Sequence, residues 1–247
     1  MFPIQDSIPR RSPPLMNWAI MAACGIVFLF ELSLPPHLLE RLFYMFGVVP
    51  VRYTHPDFAA SLGLAPKAAL PLFTCMFLHG GWVHIIGNMW TLWIFGDNVE
   101  DEMGPLRYLL FYLFCGLVAS FVHIYTNPTS TVPTIGASGA IAGVMGAYYV
   151  LFPRARIILM IPIFFFPFFF DVPAVFYLAF WFLEQVFSGT FSLLAPSQGG
   201  GIAFWAHAGG FVCGMLTHRL FLRKEVYRRR YPDHNRPWGM LVPRDRY

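Results

Sequence analysis

Residues 136–147 read GASGAIAGVMGA, an apolar run with one hydroxyl group, on Ser138. Small residues recur in it at every fourth position: Gly139, Gly143 and Ala147. The segment around His207 repeats the same spacing: Ala206, Gly210 and Gly214. Residues four apart share one helix face, and small residues on that face let a second helix approach closely in a membrane. The two segments therefore predict a close helix pair that carries Ser138 on one member and His207 on the other.

The composition of the chain is typical of a membrane protein. Its 247 residues are 57% hydrophobic and 12% charged, whereas soluble domains are about 45–50% apolar and about 25% charged. The net charge is +4, and nine of the 17 basic residues lie from Arg219 onward. Because they follow an apolar segment, they indicate membrane-flanking charge rather than nucleic-acid binding.

Apolar runs long enough to cross ~30 Å of hydrocarbon recur along the chain. They lie at about 16–34, 71–96, 105–125, 136–152 and 201–221. Between the last two, residues 157–190 hold two shorter aromatic blocks, and one crossing fits them better than two. Basic residues before the first run and after the last predict that both termini are cytoplasmic, which requires an even number of crossings.

The predicted fold is an all-α, polytopic membrane helix bundle with six transmembrane helices. Residues 1–15 are expected to be a cytoplasmic tail, 16–222 the membrane domain, and 223–247 a basic cytoplasmic tail. Whether residues 157–170 cross the membrane or lie at its interface stays open. Short tails and the lack of a transit peptide favour a bacterial plasma membrane.

Polar side chains in three predicted spans fall at a similar depth. His84 and Asn88 lie four apart on one face of the second span, Ser138 opens the fourth, and His207 lies in the sixth. Counting 1.5 Å per residue from the cytoplasmic ends places all four within ~6 Å in depth. A serine at a helix start is often only a cap, and polar pairs often only pack helices. Independent packing devices have no reason to share a depth, so a functional site is favoured.

Ser138 and His207 are the pair that nucleophilic catalysis requires, because histidine is the usual base that takes the proton of a serine. The acidic residues of the other segments are not placed at this depth: Glu31, Asp171 and Glu184. A dyad is therefore predicted rather than a triad. The oxyanion formed by attack on a carbonyl could be stabilised by the backbone N–H at Ser138 and by His84 and Asn88.

Taken together, these motifs resemble the rhomboid family of intramembrane serine proteases, in its bacterial type. The matching residues, in chain order, are His84, Asn88, Glu100, Gly104, Gly136, Ala137, Ser138, Gly139, His207, Gly210 and Gly214. The resemblance covers roughly residues 70–220. It implies a six-helix bundle that needs no cofactor or metal and cleaves single-pass transmembrane proteins within the lipid bilayer.

The resemblance also implies roles for individual residues. Ser138 would be the nucleophile and His207 the general base, with His84, Asn88 and the Ser138 backbone as the oxyanion hole. Gly136 and His79 also match positions near the site, and the resemblance implies a supporting role for both. The loop at 196–201 and the fifth span would form a movable lid. Some relatives place an aromatic ring one turn after the nucleophile, where this chain has Ala142, so the group that orients His207 is unassigned.

Three alternatives remain beside this interpretation. The first is a catalytically silent, rhomboid-like membrane protein that binds client membrane proteins. The second is a haem or metal protein that uses histidines spread over several spans: His79, His84, His123, His207 and His218. The third is another kind of intramembrane protease, which the missing HExxH motif and the missing pair of intramembrane aspartates disfavour.

Overall fold

We describe a computed structural model of the chain over residues 2–163, 166–194 and 203–226. Within these residues the chain is mostly helical, with a small three-stranded sheet. In chain order the elements are β1 (Phe2–Asp6), α1 (Leu15–Ser33), α2 (Pro36–Phe46), α3 (Val51–Thr54), α4 (Pro56–Ser61), α5 (Pro71–Thr74), a 3₁₀ turn (Cys75–Phe77), α6 (Trp82–Met103), α7 (Pro105–Thr126), α8 (Ser138–Leu151), β2 (Arg156–Ile163), β3 (Phe166–Pro173), α9 (Ala174–Leu194) and α10 (Phe204–Phe221). The predicted loop at 196–201 and the tail beyond residue 226 lie outside the described residues.

Three described helices are long and apolar enough to cross a bilayer: Leu15–Ser33, Pro105–Thr126 and Ala174–Ser192. Their outer faces expose large apolar side chains, such as Ile26 on α1, Leu110 on α7 and Phe180 on α9. Soluble proteins rarely expose such extensive apolar surfaces, and lipid is the solvent that suits them. The chain is therefore a membrane protein with several candidate spans.

Helix α8 is the central element of the bundle. It is short, with 14 residues, and an unbroken series from Ala140 to Tyr148 is buried. Its closest neighbour is α10: a Cβ atom on Gly210 would collide with the carbonyl oxygen of Gly139, and one on Gly214 would collide with that of Gly143. The close helix pair predicted from the small residues is confirmed. The main apolar core surrounds this pair, with Phe111 and Cys115 of α7 and Phe95 of α6 among its members.

The second span begins later than predicted. The apolar run starts at Pro71, but residues 71–77 form short helical turns and α6 begins only at Trp82. The reason is local, since Gly81 has a φ of +156°, which is unsuited to a helix. Helix α6 then continues to Met103, beyond the predicted end of the run at about residue 96.

The small sheet corrects the prediction of an all-α fold. Strands β2 and β3 form an antiparallel hairpin in which Arg156 faces Pro173, and β1 pairs antiparallel with β2. Isoleucine and phenylalanine dominate the hairpin and favour strands. Three prolines also interrupt any helix there: Pro162, Pro167 and Pro173. Residues 157–170 are therefore not a spanning helix, and α9 alone provides the helix of the 157–190 stretch.

The segment predicted as an N-terminal tail packs onto the bundle. The Trp90 indole N–H donates to the Pro3 carbonyl over 2.5 Å. The Asp6 carboxylate is buried, and it accepts from Asn98 Nδ2 at 2.8 Å and from the Tyr148 hydroxyl at 2.5 Å. Burial raises the pKa of Asp6 to about 6, although the hydrogen bond from Tyr148 opposes the shift. Strand β1 is thus held to α6 and α8 by a carboxyl group that titrates near neutrality.

Stability should therefore fall as the pH rises from about 4 to about 7. The Asp6 carboxyl binds its proton more tightly in the folded chain than in the unfolded one. Its contribution is fully present below about pH 4 and is lost as the pH rises through about 6, at a cost of up to about 3 kcal/mol. The variant Asp6→Asn keeps the acceptor oxygen without the charge, so its thermal midpoint should depend less on pH and exceed that of the wild type at pH 8. Asp57→Asn, at an exposed position, is the control. Parallel pH dependences for wild type and Asp6→Asn would refute this assignment.

Candidate active site

Ser138 is the first residue of α8, and the backbone before it is tightly fixed. The Gly136 N–H donates to the Cys75 carbonyl over 2.8 Å, and Thr134 pairs with Val48 in an isolated bridge. Gly136 has a φ of +125°, and a Cβ atom there would lie 2.6 Å from His84 Nε2. Both observations require glycine at this position. Ser138 makes no capping hydrogen bond, since the cap position belongs to Ala137, so the interpretation as a helix cap is not supported.

The Ser138 hydroxyl contacts His207 instead. Ser138 Oγ lies 2.7 Å from His207 Nε2, at hydrogen-bonding distance. His207 is in the first turn of α10. Gly210, about one turn further along α10, packs directly against the backbone of Gly139, and this contact brings the two helices together at the site. Both side chains are partly exposed rather than sealed in the core. The structure thus brings together the two residues that the sequence singled out as nucleophile and base.

His84 and Asn88 lie beside this pair, on the first turns of α6. Both face Gly136, with Asn88 Nδ2 3.7 Å from the place a Cβ atom would occupy. Among the described residues Asn88 Nδ2 is buried and has no hydrogen-bond partner. His84 Nδ1 lies 3.4 Å from the Gly80 N–H, so the neutral ring carries its proton on Nε2. Two donors therefore face the backbone that leads into Ser138.

His79 packs against His84. Its ring packs edge-on against the His84 ring, with 5.2 Å between the centroids. Its backbone N–H donates to the Glu31 carboxylate at 3.1 and 3.3 Å, and its Nδ1 lies 3.2 Å from the Phe77 carbonyl. Glu31 is buried on α1, so this contact joins the first helix to the loop that precedes α6.

One residue at the site was missed by sequence reasoning. Gln185 of α9 places Oε1 2.7 Å from His207 Nδ1, on the side of the imidazole opposite Ser138. Its amide nitrogen donates to the carboxylate of Glu184, and the Trp181 ring lies 6.1 Å from the imidazole. The sequence signal was a polar Glu-Gln pair inside an aromatic span, where polar side chains are costly.

The histidines do not gather as a metal or haem site would require. Within the described residues, no three His, Cys, Asp or Glu side chains are placed to hold a metal ion. His123 Nε2 bonds to the Thr134 hydroxyl at 2.7 Å, and His218 Nδ1 contacts the Met215 carbonyl at 2.8 Å. Both ring nitrogens of His207 contact protein side chains, Nε2 that of Ser138 and Nδ1 that of Gln185.

Comparison with known proteins connects this geometry to one family. The rhomboid domain family matches residues 66–224. "RHOMBOID-like protein 5" of Arabidopsis thaliana is 38% identical over 76 residues, 31% of this chain and 25% of that protein. "Rhomboid-like protein 11, chloroplastic" of the same plant is 32% identical over 121 residues, 49% of this chain and 40% of that protein.

A bacterial relative extends the match. "Putative rhomboid protease YdcA" of Bacillus subtilis (strain 168) is 33% identical over 129 residues, 52% of this chain and 58% of that protein. The chain thus spans between 25% and 58% of the length of these three relatives. The family match covers more than half of the chain and includes every residue of the site except Glu31. The chain belongs to the rhomboid family, which has a polytopic membrane fold.

Proposed function

We propose that the chain is an intramembrane serine endopeptidase that cleaves transmembrane segments of single-pass membrane proteins. The observation that carries the proposal is the 2.7 Å separation between Ser138 Oγ and His207 Nε2. Membership of a family that includes intramembrane serine proteases supports it. A protein that only binds client proteins has no need for this pair, or for the buried Asn88 amide donor beside it, which bonds to none of the described residues.

In the first half of the reaction, His207 Nε2 takes the Ser138 hydroxyl proton as Oγ bonds to the scissile carbonyl carbon. The carbonyl electron pair moves onto its oxygen. Asn88 Nδ2, His84 Nε2–H and the backbone N–H of Ser138 would donate to this oxyanion. When the tetrahedral species collapses, the C–N bond breaks and His207 gives its proton to the departing amine.

In the second half, water resolves the acyl ester. His207 takes one proton from the water as its oxygen attacks the ester carbon, and it returns that proton to Ser138 Oγ as the serine leaves. The carboxyl product and the free enzyme result. The reaction uses side chains and water alone, so no metal or cofactor is assigned.

The proposed topology has six crossings: α1, α6, α7, α8, α9 and α10. Residues 16–222 would form the membrane domain, with residues 1–15 and 223–247 on the cytoplasmic side of a bacterial plasma membrane. Helix α8 is about 21 Å long at 1.5 Å per residue, so it falls short of the ~30 Å hydrocarbon core. If its C-terminal end lies at the cytoplasmic boundary, Ser138 is about 9 Å below the external one. Water would reach Ser138 from the external side.

The substrate has to unwind before it is cut. A transmembrane helix uses its carbonyl groups in i to i−4 hydrogen bonds, so the scissile carbonyl is accessible only where the helix is weak. Glycine, proline or polar residues near the scissile bond lower the cost of local unwinding. The favoured substrate class is therefore a single-pass protein with such residues in the outer half of its span.

The proposal is tested with the purified full chain in liposomes together with a model single-pass protein. Mass spectrometry of the two fragments should place the cut inside the transmembrane segment. A substrate whose glycine and proline residues are replaced by leucine should be cut much more slowly. A folded protein that binds the substrate and leaves it intact would show that the silent, client-binding alternative is right.

Asn88→Ala should lower kcat by about 10²-fold, because one oxyanion donor is typically worth ~10²–10³-fold. Substrate binding should change little, since the ground-state carbonyl is not held at the oxyanion position. The control is Asn127→Ala, whose amide bonds locally to Thr126 and the His123 carbonyl at the end of α7. Cleavage at the wild-type rate by Asn88→Ala would remove this residue from the oxyanion hole.

A further inference from the structure

We propose that Gln185 is a positioning residue for His207: it selects the imidazole tautomer that can accept the Ser138 proton, and it does so only while α9 is docked on α10. This inference rests on the proposed function, in which His207 is the general base. It assigns a role to α9, the helix on which the sequence placed no site residue.

The contact is built into the packing of α9 on α10. Gln185 is 5% exposed, and its Oε1 lies 2.7 Å from His207 Nδ1. The surrounding contacts are aromatic, with Phe182 stacked on Phe211 at 5.0 Å and Trp181 5.9 Å from the same ring. A buried amide in apolar surroundings is costly unless both of its ends are bonded. Gln185 has partners at both ends, so its orientation is determined.

The orientation of the amide follows from its second partner. An amide flipped by 180° has nearly the same shape, so the hydrogen-bond network must decide which end is oxygen. The neighbour on one side is the Glu184 carboxylate, which accepts and does not donate when ionised. The Gln185 NH₂ group therefore faces Glu184, and its carbonyl oxygen faces His207. The Ser188 hydroxyl, which donates to the same carboxylate over 2.9 Å, helps to hold Glu184 in place.

The tautomer of His207 follows from the amide. A carbonyl oxygen only accepts, so His207 Nδ1 must carry the ring proton. A neutral imidazole has one N–H group, which leaves the lone pair on Nε2, facing Ser138 Oγ. The opposite tautomer would donate toward the serine and could not take its proton. Gln185 therefore orients the imidazole as the acidic residue of a serine-protease triad does, but it carries no negative charge.

This contact also makes the position of α9 matter for catalysis. Ser138 and His207 lie on α8 and α10, which are fixed against each other by glycine contacts. Gln185 reaches the imidazole from α9 instead. If α9 moves away from α10, the imidazole loses its Nδ1 partner and becomes free to rotate or change tautomer. The base is therefore correctly oriented only when α9 is seated.

Two substitutions separate this role from ordinary packing. Gln185→Leu keeps the approximate volume but removes the acceptor, and it should lower kcat by about 10²-fold with KM changed by less than about threefold. Gln185→Glu is made together with Glu184→Gln, so that two carboxylates do not face each other, and Glu184→Gln alone is its reference. The exchange restores an acceptor for His207 Nδ1 and adds a negative charge beside the imidazolium that forms. It should recover most of the rate and move the acidic limb of the kcat/KM profile upward by about one pH unit. Gln5→Leu, at an exposed glutamine of β1, is the matched control.

The other titratable groups that act on His207 are the same in every variant. They are His84 on α6 and His123 on α7. The Glu184 carboxylate bonds the Gln185 amide and is therefore exchanged together with it. A movement of the acidic limb therefore reports the substituted side chain, and a purely structural role for Gln185 would not produce it. Far-UV circular dichroism and the thermal midpoint are measured for each variant. If Gln185→Leu does not fold, the pH profile of the Gln185→Glu/Glu184→Gln exchange decides alone.

The outcomes are distinguishable from failure of the proposed function. A folded wild type that cuts no substrate and reacts with no serine reagent would refute the function itself. An active wild type with Gln185→Leu at an unchanged rate, or the exchange with an unmoved acidic limb, would refute only the role of Gln185. Loss in Gln185→Leu together with recovery and a shifted limb in the exchange is the result expected.

Discussion

Ser138→Ala is expected to abolish cleavage of a model transmembrane substrate, with a loss of about 10⁴-fold or more. The hydroxyl oxygen is the only atom removed, and without it no acyl-enzyme can form. The fold should survive, because Ser138 does not cap α8 and loses only its hydrogen bond to His207, a net cost of about 1 kcal/mol. The rate is measured in liposomes at saturating substrate, where binding does not limit it.

The control for this variant is Ser120→Ala on α7. Ser120 is buried, and among the described residues its hydroxyl contacts the Cys75 sulfur at 3.8 Å. Ser120→Ala should cleave at nearly the wild-type rate. If Ser138→Ala kept a tenth or more of the wild-type rate, another nucleophile would have to be sought.

His207→Ala should cause a loss of similar size, and the double variant Ser138→Ala/His207→Ala should be no worse than either single one. Nucleophile and base act as one unit, so removing the second member after the first costs almost nothing further. The measurement is the full double-mutant cycle on kcat. Multiplied losses would mean that the two residues act independently, which contradicts a dyad.

The control for the histidine is His218→Asn on the same helix, eleven residues further along α10. His218 contacts the Met215 carbonyl through Nδ1, so this substitution tests whether any buried polar change on α10 stops cleavage. Its rate should stay within a few-fold of the wild type when its thermal midpoint is unchanged.

The pairing of Ser138 with His207 could be predicted from sequence because the signal is short-range within each helix. Small residues at every fourth position mark the faces that meet, and counting along a helix gives depth without knowledge of the loops. In the structure Gly214 of α10 lies directly against the backbone of Gly143 of α8, as the small residues on those two faces allow. The catalytic roles of these residues and the six crossings remain predictions.

The hairpin could not be recovered in the same way. Aromatic and branched residues in 157–173 are compatible with a buried helix or a strand, and periodicity alone does not separate them. The prolines of 157–173 are a local sign against a helix, and β3 follows β2 directly. The third strand, however, comes from about 150 residues away, where Phe2 pairs with Met160 and Asp6 with Ile157. Long-range strand pairing leaves no local mark on either segment.

Gln185 was missed for a related reason. A neutral amide in an apolar span is usually a helix-packing device, and nothing in its own segment shows which helix it faces. Its contact with His207 arises from the docking of α9 on α10, a tertiary feature. The absence of an aromatic residue at Ala142 left the imidazole without an assigned partner, and the structure supplies one from α9.

The most direct test is covalent labelling of the folded chain by a serine-reactive fluorophosphonate, without any transmembrane substrate. One equivalent should attach at Ser138, with no label on Ser138→Ala and a strongly slowed reaction on His207→Ala. Peptide mapping identifies the modified residue. Labelling that persists in Ser138→Ala, or a folded wild type that stays unlabelled while a known serine protease reacts in the same sample, would contradict a Ser138 nucleophile activated by His207.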